Sequence, residues 1–163
     1  MKVKLMRIDS RLVHGQIANN WVNFLGVNTI ICASDAAAND ELRKTLLLQV
    51  GSAPTKTHVL TVAKAGRVAK NPKYETMDAI VIVETPADVL RLLDEGLEFT
   101  EVNVGGMPFK QGQTQISKAV SVFPEDVEAF QELERRGIKM YLQQIPGSER
   151  SDLMPALKAK GLV

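Results

Sequence analysis

Apolar residues fall into short runs separated by polar turns rich in glycine and proline, recurring roughly every 20–25 residues. Asp78-Ala79-Ile80-Val81-Ile82-Val83 is the clearest run. Its apolar positions do not alternate, which predicts a strand buried on both faces at the centre of a parallel sheet. Residues 3–6, 29–33, 58–62, 101–104, 119–122 and 138–142 read as further strands. Helical spacing fills the intervals. Ile17, Trp21, Phe24 and Leu25 share one face of a helix over about 15–25, stopped at Gly26. Behind Asn39-Asp40-Glu41, the residues Leu42, Leu46, Leu47 and Val50 mark a second apolar face. A basic helix follows over 63–70, then one that starts at Thr85-Pro86 and buries Val89, Leu92 and Leu93. Val127, Phe130 and Leu133 lie behind Pro124, and Ser151-Asp152 caps a last helix to about Lys160. Seven strands alternating with about six helices predict an α/β fold. The expected architecture is a doubly wound, mostly parallel sheet forming a single domain over residues 1–163.

Composition narrows the function by exclusion. A formal net charge of +1 and no run of five basic residues argue against nucleic acid as a partner. No signal peptide and no long apolar span is evident, so a cytoplasmic protein is expected, with any membrane association running through a partner. The single cysteine, Cys32, has no partner for an internal disulfide and lies in an apolar run, as a small buried hydrophobe does. No metal or cofactor is called for.

Candidate chemistry concentrates in Arg7-Ile8-Asp9-Ser10-Arg11-Leu12-Val13-His14-Gly15-Gln16-Ile17, between the first strand and the first helix. In an open α/β sheet the loops after the strands share the ligand-binding edge, and a helix N-terminus favours an anion. The loop offers what a phosphoryl group needs: a nucleophilic nitrogen (His14), cations (Arg7, Arg11), a carboxylate to orient the imidazole (Asp9), and polar donors in Ser10, Gly15 and Gln16. The glycine- and amide-rich stretch 105–113 is expected on the same edge, whereas His58 falls near the start of strand three and reads as structural. No Walker loop, GxGxxG, HExxH or GxSxG elbow is present, and Val13 stands where histidine phosphatases carry an arginine. On the residues alone three readings stay open. They are a phosphoryl carrier, a small-molecule phosphatase using His14, and a non-catalytic anion-binding module.

RIDSRLVHGQI closely resembles the signature loop of the IIB components of the mannose–fructose–sorbose class of the bacterial phosphoenolpyruvate-dependent sugar phosphotransferase system. Asn103-Val104-Gly105-Gly106-Met107 and the stretch 115–122 extend the likeness over nearly the whole chain. The departures from the signature, Val13 and Ile17, are conservative apolar swaps. The resemblance implies a phosphocarrier with a seven-stranded, largely parallel sheet. His14 would take a phosphoryl group on Nδ1 from a IIA phosphohistidine and pass it to a sugar held by the IIC and IID membrane subunits. Arg11 would support the phosphoryl group and Asp9 would orient the ring. Other sugar IIB classes use a phosphocysteine, and Cys32 matches no such loop. Lys64, Arg67, Lys70 and Lys73 form the densest basic cluster; following strand three, they are expected on the site's edge as a docking surface for IIA.

Overall fold

The computed structural model describes residues 1–163, with the side chains of Gln16 and Ile17 outside the description. The chain opens with β1 (Lys2–Asp9), α1 (Gly15–Leu25), β2 (Thr29–Ala33), α2 (Asp35–Ala38), α3 (Glu41–Leu48) and β3 (Lys56–Leu60). It continues through α4 (Val62–Lys70), a 3-10 turn at Pro72–Tyr74, β4 (Asp78–Val83), α5 (Pro86–Asp94) and β5 (Glu101–Gly106). The last part holds β6 (Thr114–Gln115), β7 (Ser121–Val122), α6 (Pro124–Arg135), β8 (Lys139–Leu142), β9 (Ser151–Asp152) and α7 (Leu153–Ala159).

One seven-stranded sheet in the order β3-β2-β4-β1-β5-β8-β9 carries the chain, parallel except for β9. β4 is central as its apolar run predicts, with Ala79 to Val83 all buried. The direction of travel sorts the helices, because right-handed crossovers place leftward and rightward connections on opposite faces. From β1 the chain steps outward to β2 and β3, so Trp21, Val22, Ala37 and Leu47 of α1–α3 pack with Leu5, Ile30, Ile80 and Ile82 on one face. It then returns to β4 and continues through β5 to β8. Val62, Leu92, Phe130 and Leu157 of α4–α7 accordingly pack with Met6, Ile8, Val81 and Val104 on the other face. β1 therefore leads to one face while its neighbours β4 and β5 lead to the other. The crevice at its C-terminal end is a topological switch point.

Five expectations change. β1 runs three residues further than its apolar pattern suggests, through Arg7-Ile8-Asp9, with Arg7 in register with Ile82 and Asn103. Arg7 and Asp9 neutralise one another on one face while Ile8 is buried on the other, so a polar sequence continues a core strand. Residues 119–122 do not join the main sheet. Ser121–Val122 forms a small antiparallel pair with β6, and the seventh place belongs to the short antiparallel β9. Of the apolar face expected on α3 only Leu47 is buried; Leu42 and Leu46 are 71% and 58% exposed. Covering edge strand β3, α3 has sheet beneath one side only. Phe24 of α1 is likewise exposed, edge-on to Trp21. α2 adds a short helix the periodicity does not mark.

Candidate active site

After β1 the chain turns sharply. The Leu12 N–H donates to the Asp9 carbonyl at 2.8 Å and the Ser10 N–H donates to the Gly106 carbonyl at 2.9 Å. Leu12 holds φ +58, the left-handed region that branched side chains avoid. Such strain costs of order 1–3 kcal/mol. Full burial of the leucine side chain contributes about 1.5–3 kcal/mol and offsets it, since Leu12 is 1% exposed and Val13 is 3% exposed in the α1–α3 core. These two anchors fix the backbone of His14, the residue immediately preceding α1. His14 is extended (φ −140, ψ 150), its carbonyl accepts the Ala18 N–H, and its ring makes no capping bond to the helix. The imidazole thus lies beside the N-terminal end of an eleven-residue helix, where unpaired N–H groups favour negative charge.

Beneath the loop lies a buried polar stack. The Arg7 guanidinium donates from Nη2 to Asp9 Oδ2 at 3.1 Å, and from Nη1 to Asn103 Oδ1 at 2.5 Å and to the Gln144 carbonyl at 3.0 Å. Asn103 Nδ2 donates to the Gln143 carbonyl and Trp21 Nε1 donates to the Gln144 carbonyl, tying the loop after β8 to the stack. Burial draws the Arg7 guanidinium below its ordinary value, and the Asp9 carboxylate opposes that shift. The two glycines of β5 explain how so large a cation fits. A Cβ on Gly105 would stand 2.0 Å from Arg7 Cζ, and one on Gly106 would stand 3.2 Å from the Asp9 carboxylate oxygens. The guanidinium lies where a side chain at 105 would be. Gly105 and Gly106 belong to a strand rather than to the expected loop, and close approach is what an interior strand glycine signals.

Asp9, fully buried, divides its oxygens. Oδ1 accepts the Arg11 backbone N–H at 3.1 Å, and Oδ2, already bound by Arg7, faces His14 Nε2 at 3.6 Å. Nε2 is buried with no hydrogen-bond partner among the described residues, while the imidazole as a whole remains 31% exposed. Nε2 is the ring nitrogen set beside the carboxylate. The arrangement suits a nucleophilic imidazole whose acquired positive charge has the Asp9 carboxylate nearby.

The chain matches the family of PTS system sorbose subfamily IIB components across residues 3–163. It belongs to that family. The fructose-specific EIIB component of Bacillus subtilis is 38% identical over 158 residues, 97% of each chain. The mannose-specific EIIAB component of Escherichia coli K12 is 44% identical over 154 residues, covering 94% of this chain; this chain spans about half of that protein, 48%. The IIBSor domain of the sorbose permease from Klebsiella pneumoniae superposes with a TM-score of 0.94 at 34% identity over 98% of both chains.

Within this IIB component the structure brings Asp9, Arg11, His14 and Gly15 to one end of β1, with Ser10 half-buried beside them. Arg11 and Gly15 are exposed, and no Cβ contact lies within 4 Å of Gly15. The Gln16 side chain lies outside the described residues. Arg7 departs from its expected role: at 1% exposure, with Nη1 and Nη2 donating to Asp9, Asn103 and two carbonyls and Nε without a partner among the described residues, it supports Asp9 rather than reaching solvent. The basic cluster departs further. A helix connecting parallel strands runs back toward their starts, so α4 leaves the site's edge at Val62 and ends where the Met1 amino group donates to the Ala69 carbonyl. Only Lys64 stays in the first turn; Arg67 lies further along, and Lys70, beside Glu95, reaches the opposite edge, followed by Lys73. His58 is exposed midway along edge strand β3. The Cys32 thiol is pushed up to about 12, chiefly by burial. Sequence reasoning missed Asn103, Trp21 and Leu12; the adjacent glycines at 105 and 106 were the available signal for the first.

Proposed function

We propose that His14 is the phosphoryl-carrying residue of this IIB component, accepting from a IIA component and donating to a sugar presented by IIC and IID membrane subunits. The observation that supports it is the buried Asp9 carboxylate beside the imidazole, 3.6 Å from Nε2. In the accepting step the Nδ1 lone pair attacks the phosphorus of the IIA phosphohistidine in line. The new N–P bond forms as the donor's breaks, and the donor imidazole leaves with its electron pair. The His14 ring gains positive charge while Nε2 keeps its proton, and Asp9 stabilises that state. Arg11, Ser10 and the Gly15 amide meet the phosphoryl oxygens; Arg7 and Asn103 hold Asp9 in place. In the donating step a sugar hydroxyl attacks the same phosphorus from the side opposite Nδ1 and releases its proton to solvent water; the N–P bond breaks, its electron pair returns to Nδ1, and the imidazole with its proton on Nε2 is regenerated.

No helix among the described residues is long and apolar enough to cross a membrane, and the reading gives the protein a cytoplasmic location, at the membrane through IIC and IID. Incubation with phosphoenolpyruvate, the general carrier proteins and a matching IIA should put one acid-labile phosphoryl group on His14, located by mass spectrometry under alkaline conditions. His14→Ala should take up none. Label on His58, or undiminished label in His14→Ala, would contradict the reading.

A further inference from the structure

α4 carries most of its basic cluster away from the site's edge, and a cleft beside the site has the chemistry of a docking surface. It encloses about 370 Å³ at the C-terminal edge of the sheet and is lined by Ser10, Arg43, Glu84, Pro108, Lys110 and Asp126, among others. One wall is the first turn of α3, where Arg43 pairs with Glu84 at the end of β4. The other is the loop after β5. Both walls carry exposed apolar side chains next to the lining residues. Leu42 precedes Arg43 and continues into Leu46 one helical turn on; Phe109, between Pro108 and Lys110, is 65% exposed. Exposed large apolar groups adjacent in the chain to residues lining a polar cleft on both its sides suit a transient interface, with anchors surrounded by charge.

Charge selects the occupant. The acids of the cleft are engaged: Glu84 by Arg43, and Asp126 by the Phe123 N–H at 2.8 Å. Exposed Lys110 lines it, and exposed Arg11 follows the lining residue Ser10 in the chain. The phosphoryl donor arrives with a dianionic group on its histidine, whereas the sugar acceptor is neutral, so the cationic margin complements the donor. We propose that the IIA component docks over this cleft, seating its rim on Leu42, Leu46 and Phe109 so that its phosphohistidine meets His14. This rests on the carrier reading above and adds the surface through which it operates.

The double variant Leu42→Ser/Phe109→Ser removes exposed groups only, so the fold should persist with an unchanged melting temperature. Its KM for phosphorylated IIA in labelling His14 should rise roughly ten- to hundredfold. Its maximal rate, and discharge of pre-labelled protein to sugar by vesicles carrying IIC and IID, should match wild type. An unchanged KM would overturn the proposal. So would a defect confined to discharge, which would assign the cleft to the membrane subunits. Backbone chemical shifts during titration with IIA give a second measure: changes at 42–46 and 107–113 support the proposal, and changes confined to α4 overturn it. Failure of wild-type His14 to be labelled would instead remove the carrier reading itself, so the two failures are distinguishable.

Discussion

Arg7 and Arg11 are four residues apart, carry the same charge and do different things. Arg7 is buried in a network, where losing one member of a buried ion pair typically costs about 3–5 kcal/mol. Arg11 contributes its backbone N–H to Asp9 and leaves its side chain exposed. Arg11→Ala should therefore leave stability within about 0.5 kcal/mol of wild type in a urea melt. It should slow phosphoryl transfer roughly 10- to 1000-fold, the effect of losing an electrostatic stabiliser. Arg11→Lys should not restore the rate, since an ammonium lacks the planar fork. Transfer at the wild-type rate in either variant would refute the role. The sequence reading separated these roles poorly, because a loop motif lists residue types without their burial. His14, Asp9 and the Arg11 backbone lie together in the structure, whereas Arg7 is turned inward to Asn103, a partner 96 residues away.

Among the elements, those whose stability is written locally were legible. β4 reads as a buried apolar run, and Thr85-Pro86 marks the start of α5, with the Thr85 side chain accepting the Asp88 N–H. Features set by distant neighbours were not. The polar end of β1 depends on β5, the exposed face of α3 depends on its place at the sheet edge, and the exchange of β7 for β9 depends on where the chain returns after α6. The fit of Arg7 over β5 gives an element-scale test. Gly105→Ala requires the guanidinium to move, since its Cβ would overlap Arg7, and the loss of the buried pair should lower stability by about 3–5 kcal/mol. Gly15→Ala, with open space at its Cβ and a helix to join, should change stability by no more than about 1 kcal/mol. Comparable urea midpoints for the two variants would contradict this packing.

For the whole molecule, strand order decides what faces a partner. β1 sits where connections diverge to opposite faces, so loops from β1, β4 and β5 converge on one edge while α4 carries its lysines away from it. Charge reversal by Arg67→Glu with Lys70→Glu should therefore leave the KM for phosphorylated IIA, and its dependence on salt, as in wild type. A several-fold rise in KM at low ionic strength that disappears with added salt would return the docking face to α4.

In the proposed carrier, Asp9 beside Nε2 leaves Nδ1 to take the phosphoryl group. Nitrogen-15 and phosphorus-31 NMR of the phosphorylated protein, with histidine labelled in the ring, reads this directly through the one-bond N–P coupling. The expected result is coupling to Nδ1 of His14, with Nε2 still protonated. Coupling to Nε2 would contradict it, because that nitrogen would have left the carboxylate it faces at 3.6 Å.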